Sequence, residues 1–195
     1  MTQEMEAPEG RDVGRAVLWR GLDGRGTEYC RLRRMGAGWA LGGTVTLAFG
    51  DAPAVVRYAV ACDDTWQTRT VVVDATIGRE RWELRLAADG GHWTVDGQPR
   101  PDLDGCVDVD LGVTPGTNTL PIRRLNLAVG ESREVVAAWV RFPALDMRPL
   151  AQRYTRLDEH TYHYESDTGF SAELTVDGLG LIVSYPQGWE RVAAT

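Results

Sequence analysis

Apolar and polar positions alternate along most of this chain, and clusters of Gly, Asp, Pro or Ser interrupt the alternation roughly every 8–12 residues, the spacing of an all-β sandwich or barrel. A first strand is predicted at residues 15–20, and residues 28–35 return after the turn Leu22-Asp23-Gly24-Arg25-Gly26. The clearest signal follows, where Trp39, Leu41, Val45, Leu47 and Phe49 alternate with Ala40, Gly42, Thr44, Thr46 and Ala48. Within it, Gly42-Gly43 predicts a bend or bulge that curves the sheet. Val56, Tyr58, Val60 and Cys62 share the next face, a strand is predicted at 65–74, and Trp82, Leu84 and Leu86 lead through Ala88-Asp89-Gly90-Gly91 into His92-Trp93-Thr94-Val95. Past the middle, strands are predicted at 134–142, 161–165, 170–176 and 181–185, and residues 143–158 are the best place for a short helix. No 3.6-residue pattern of useful length exists. The pattern therefore predicts a mainly β protein. One large curved antiparallel sheet forms an incomplete or closed barrel with at most short helices, over a single domain at 14–195 behind a flexible tail at 1–13.

Residues 103–125 interrupt this rhythm. Leu103, Val107, Val109 and Leu111 share one parity and Asp102, Asp104, Asp108 and Asp110 the other, which predicts a strand with four carboxylates on one face. Same-face neighbours in a strand lie roughly 6.8 Å apart, so the like charges call for a cation opposite. Thr114-Pro115-Gly116-Thr117-Asn118-Thr119-Leu120-Pro121 then forms a polar elbow, and Ile122-Arg123-Arg124-Leu125-Asn126-Leu127 is predicted to resume as a strand, closing a hairpin that brings Arg123 or Arg124 to Asp108 and Asp110. Two readings are open: a surface hairpin with solvated charges, or a polar site whose Thr117, Asn118 and Thr119 serve sugar or headgroup hydroxyls.

Composition narrows the function classes. The 195 residues are 43% hydrophobic and 25% charged, which suits a packed soluble domain and not a disordered chain. A formal charge of -7 disfavours nucleic acid and anionic membrane surfaces as partners, and the one dense basic group, Arg31, Arg33 and Arg34, reads as the outer side of a strand. No apolar run approaches the ~20 residues of a membrane span, and the polar stretch 1–11, without an apolar core or cleavage signal, predicts no secretion by a standard signal peptide. Cys30, Cys62 and Cys106 are isolated and odd in number, as in a cytoplasmic protein with reduced core thiols. His160 and His163 fall on opposite strand faces and His92 is distant, so no metal or other cofactor is expected. Nucleophile-elbow, phosphate-loop and Cys-x-x-Cys motifs are absent. The seven tryptophans suit a core, with a few left to line a pocket.

The run Asp108-Val109-Asp110-Leu111, with Thr114-Pro115, Thr117-Asn118-Thr119-Leu120-Pro121 and Ile122-Arg123-Arg124-Leu125, resembles the signature of the bacterial putative glycolipid-binding family, formerly a domain of unknown function. Trp19 with Glu28, Asp64-Thr65-Trp66 with Arg69, Gln152 with Tyr154, and Tyr185-Pro186 extend the resemblance over roughly residues 15–191. It implies a fold like that of the lipoprotein-carrier proteins, whose curved antiparallel sheet encloses an apolar cavity, and it puts Trp19, Glu28, Trp66, Arg69, Asp108, Asp110, Thr117, Asn118, Arg123, Arg124, Tyr154 and Tyr185 forward as ligand-binding candidates. Gly116 departs from the family's pattern, in which a bulkier, often aromatic residue stands, and so bears on any headgroup contact at the elbow.

The resulting expectation is non-catalytic binding of a glycolipid or other amphiphilic small molecule, its tail in the cavity and its polar groups near the elbow. An enzyme, a hydrolase or isomerase using the Asp and Arg groups, is the alternative, and a structural or protein-interaction module with a filled core is the third.

Overall fold

The computed structural model describes residues 14–195; the tail predicted at 1–13 lies outside the described residues. Strands β1 (Gly14–Gly21), β2 (Gly26–Met35), β3 (Gly38–Phe49), β4 (Ala52–Cys62), β5 (Thr68–Ile77), β6 (Glu80–Asp89), β7 (His92–Val95) and β8 (Gln98–Pro99) form one meander. After β9 (Asp108–Leu111) and the helix α1 (Thr119–Leu125), a second meander runs through β10 (Ser132–Arg141), β11 (Asp146–Arg156), β12 (Thr161–Ser166), β13 (Ser171–Val176), β14 (Ile182–Tyr185) and β15 (Trp189–Ala194). Pairing of β1 with β15 joins the two into a single sheet of 15 strands that begins at β8, descends to β1, crosses to β15 and ends at β9.

Every neighbouring pair is antiparallel except β9 and β10, which run parallel. The sheet is therefore mixed, antiparallel as expected but for this one pair. A parallel neighbour cannot be reached through a tight turn, and the segment holding α1 is the crossover. The sheet curves strongly without closing into a barrel. β9 and the segment before it are instead stapled to β5, to β7 and to the turn between β6 and β7: the Thr68 N–H donates to Val107 O (3.3 Å), the Val109 N–H to Thr68 Oγ1 (3.2 Å), the Gly105 N–H to Gly91 O (2.9 Å) and Trp93 Nε1–H to Cys106 O (2.9 Å).

The inner positions read from the alternation form a continuous core, including Trp19, Leu32, Leu41, Val45, Val56, Val60, Val71 and Val73, each at most 2% exposed. Three local expectations fail for identifiable reasons. Gly42-Gly43 makes no bulge, since β3 keeps register with β2 and β4 through both residues; a Cβ on Gly43 would stand 2.7 Å from Glu28 Oε1 and from the Tyr58 ring, so the glycine makes room for them. Residues 143–158 are mostly strand β11, whose inward-facing Gln152 hides the alternation of Leu150 and Tyr154. Asp102 and Asp104 do not share a strand face with Asp108 and Asp110: Pro101–Leu103 is a 3-10 turn, and β9 starts at Asp108.

Candidate functional site

The predicted hairpin is absent, because Ile122, Arg123, Arg124 and Leu125 belong to α1. Pro121 lies in the first turn of that helix, where its missing N–H forfeits no hydrogen bond, and Asn126 ends it in the left-handed region at φ 43° with its N–H on Ile122 O. Leu120 and Ile122 are buried, so a two-turn helix anchors itself on the core.

Five clamps hold the segment 112–125 against the sheet. Thr114 Oγ1 donates to Glu28 Oε1 (2.8 Å), Thr117 Oγ1 accepts the Leu111 N–H (3.3 Å), and Tyr154 OH donates to Asn118 Oδ1 (2.9 Å). Thr119 Oγ1 donates to Gly180 O (3.0 Å), and Arg124 grips Asp108 through Nε (3.0 Å) and Nη2 (2.5 Å). Asp108 is 1% exposed. Burial pushes its carboxyl up, and the guanidinium fork pulls it back. The arginine that meets the aspartates is thus Arg124, and it does so from a helix.

Glu28 is fully buried on β2. Its Oε1 takes the hydroxyl protons of Tyr58 (2.5 Å) and Thr114, while Oε2 has no partner among the described residues. Burial lifts this carboxyl to about 7 against the pull of the two hydroxyls. Gly116 packs against the same cluster, where any Cβ would approach Tyr58 OH to 2.9 Å. A bulkier residue does not fit here.

Beside the clamps lies an open pocket of about 280 Å³. Trp139, Tyr164, Phe170, Tyr185 and Trp189 form its aromatic wall. Asp110, Thr114, Asn118, Ser166, Thr168 and Gln187 supply the polar groups. Asp110 is the only charged residue of this lining among the described residues; its Oδ2 accepts from Gln152 Nε2 (2.6 Å), and burial lifts it to about 6 against that hydrogen bond. A larger groove of about 600 Å³ adjoins at Ser166, which lines both, and is walled by Val107, Leu125, Val135, Val136 and Ala151, with Arg124, Arg153, Glu134, Glu165 and Asp167 among its charged residues.

Of the candidates named from sequence, Asp110, Asn118 and Tyr185 meet in the pocket, and Asp108, Thr117, Arg124 and Tyr154 support it. Trp19 is a core residue whose Nε1–H donates to Ile182 O (2.8 Å). Trp66 stacks on Trp39 at 4.4 Å, the Arg123 guanidinium lies 5.3 Å from the Trp66 ring, and Arg69 pairs with Asp63 (2.7 Å). None of these four candidates, Trp19, Trp66, Arg69 and Arg123, lines the pocket. Sequence reasoning did not single out Tyr164, Phe170 and Gln187; Trp139 and Trp189 were visible only as members of a surplus of tryptophans.

The family described as "Putative glycolipid-binding" matches residues 16–191, almost the whole described chain. The chain belongs to that family. No curated protein matches significantly. Among solved structures, a DUF1089 family protein from Pseudomonas aeruginosa is 33% identical, with 97% of this chain and 100% of that chain covered at a TM-score of 0.79. A beta-barrel-like protein of domain of unknown function DUF1849 from Brucella abortus is 10% identical at a TM-score of 0.53, covering 95% of this chain and 98% of that chain, and shares the fold alone. The matched range includes the clamped segment that closes one side of the Asp110 pocket. Among the described residues no helix is long and apolar enough to cross a membrane.

Proposed function

We propose that this member of the glycolipid-binding family holds an amphiphilic small molecule without transforming it, the polar headgroup in the Asp110 pocket and the tail along the adjoining groove. The observation that carries this reading is the pocket itself. It sets the polar side chains of Asp110, Asn118, Ser166 and Thr168 against a wall of five aromatic residues, the composition of sites that bind hydroxyl-rich rings. Its 280 Å³ suits one small headgroup. The tail reading differs from the expected cavity inside the sheet, because the inner face is packed with core side chains. The groove instead offers Val107, Leu125, Val135, Val136 and Ala151, and each methylene covered there contributes roughly 0.8 kcal/mol.

A second reading has one observation in its favour. A carboxyl lifted to about 6 is poised for general acid–base work, so Asp110 would serve an isomerase or hydrolase. Titration with octyl glucoside below its micelle concentration, followed by the fluorescence of Trp139 and Trp189, tests the binder. Saturable binding that Ser166→Trp abolishes by filling the junction of the two cavities is expected. Binding unchanged in that variant removes the site from this pocket, and substrate turnover lost in Asp110→Asn replaces the binder with the enzyme.

A further inference from the structure

Asp108 and Asp110 stand two residues apart on the same face of β9, and their surroundings differ in one respect. Asp108 is matched by the Arg124 fork. Asp110 has only the neutral amide of Gln152, and among the described residues no Arg or His forms an ion pair with it. Asp110 is half-buried and lines the open pocket; a carboxylate partly withdrawn from water with no counter-charge is disfavoured, and a cation delivered by a ligand would relieve that.

The walls favour the same charge. Tyr164, Phe170 and Tyr185 form a chain of tilted rings with successive centroids 6.1 and 5.9 Å apart, and Trp189 also lines the pocket. Aromatic faces attract ammonium groups. Trp139 is already engaged, with the Arg148 and Arg141 guanidiniums 5.0 and 5.8 Å from its ring centroid. Among the described residues no basic side chain lines the pocket, so phosphate or sulfate would meet Asp110 with no lining cation to receive it. Resting on the headgroup reading above, we infer that the group this pocket takes carries a protonated amine, as an amino sugar does, and that Asp110 is its counter-ion.

Calorimetric titration of the whole protein at pH 7 with glucosamine, glucose, N-acetylglucosamine and glucose 6-phosphate tests the inference. Glucosamine is expected to bind at least about tenfold tighter than either neutral sugar, with the phosphate weakest. In Asp110→Asn the preference for the amine should fall to about onefold; the wild-type series decides the question even if that variant does not fold. An octyl glucosaminide that binds tighter than free glucosamine identifies a lipid headgroup, and equal affinities identify a soluble amine; both support the inference. Equal binding of glucosamine and glucose overturns it, as does an amine preference that survives in folded Asp110→Asn. If octyl glucoside binding still vanishes in Ser166→Trp, the headgroup reading stands without the amine; if no probe binds, both fall.

Discussion

At the scale of single residues, the most consequential group is Glu28, a carboxyl sealed into the core with one oxygen unpartnered among the described residues. Its folded-state value, about 7, lies above the ordinary 4.5, so the folded protein holds this proton more tightly than the unfolded chain does. The resulting stability is fully present below about 4.5 and is lost as pH rises through about 7. A shift of this size corresponds to a few kcal/mol, on the order of 3. Glu28→Gln cannot titrate there. Denaturant melts from pH 4 to 8 should therefore show wild type losing stability relative to Glu28→Gln across that window; a constant difference between the two would mean that Glu28 titrates normally. Gly43 and Gly116 belong to the same arrangement, each leaving space that Tyr58 and its hydroxyl occupy.

At the scale of elements, α1 is too short to persist without tertiary contacts, since isolated helices below ~12–15 residues are marginal in water. Its two adjacent arginines separate the contributions. Arg124 neutralises an almost fully buried Asp108, whereas Arg123 lies over Trp66 and reaches Gly178 O at 3.4 Å. Arg124→Ala should cost about 3–5 kcal/mol because it leaves Asp108 uncompensated, and Arg123→Ala about 0.5–1 kcal/mol. Chemical denaturation of both variants, with a double-mutant cycle to Asp108→Ala, reads the difference; two equally mild losses without coupling would remove the ion pair as the clamp.

At the scale of the whole molecule, curvature brings the start of β5 against β9, and Thr68 staples them with both its backbone and its hydroxyl. Thr68→Val keeps the shape and the Thr68 N–H bond to Val107 O but strands the buried Val109 N–H, at a cost of about 1–3 kcal/mol. Thr68→Ser should restore most of it. Hydrogen exchange at Val109 offers the direct check: an amide equally protected in Thr68→Val would show that β5 and β9 are held together without this bond.

The strands were legible from sequence because a half-buried strand writes its period of two into the chain, as Trp39, Leu41 and Val45 or Val56, Tyr58 and Val60 do. The family was legible too, as was the pairing of an arginine with Asp108. What the chain alone did not reveal are the features made by distant segments. Seven residues of α1 are too few to display a helical period, and Pro121 reads equally as a strand breaker or a first-turn residue. The inward Gln152 looks like a surface position until Asp110 is found opposite it. The parallel pairing of β9 leaves no local mark, since register between strands belongs to the sheet and not to either strand. The pocket draws on β9, the clamped segment, β10, β11 and residues 164–189, and only tertiary structure places Asp110 beside Tyr164 and Tyr185 while giving Arg124 to Asp108.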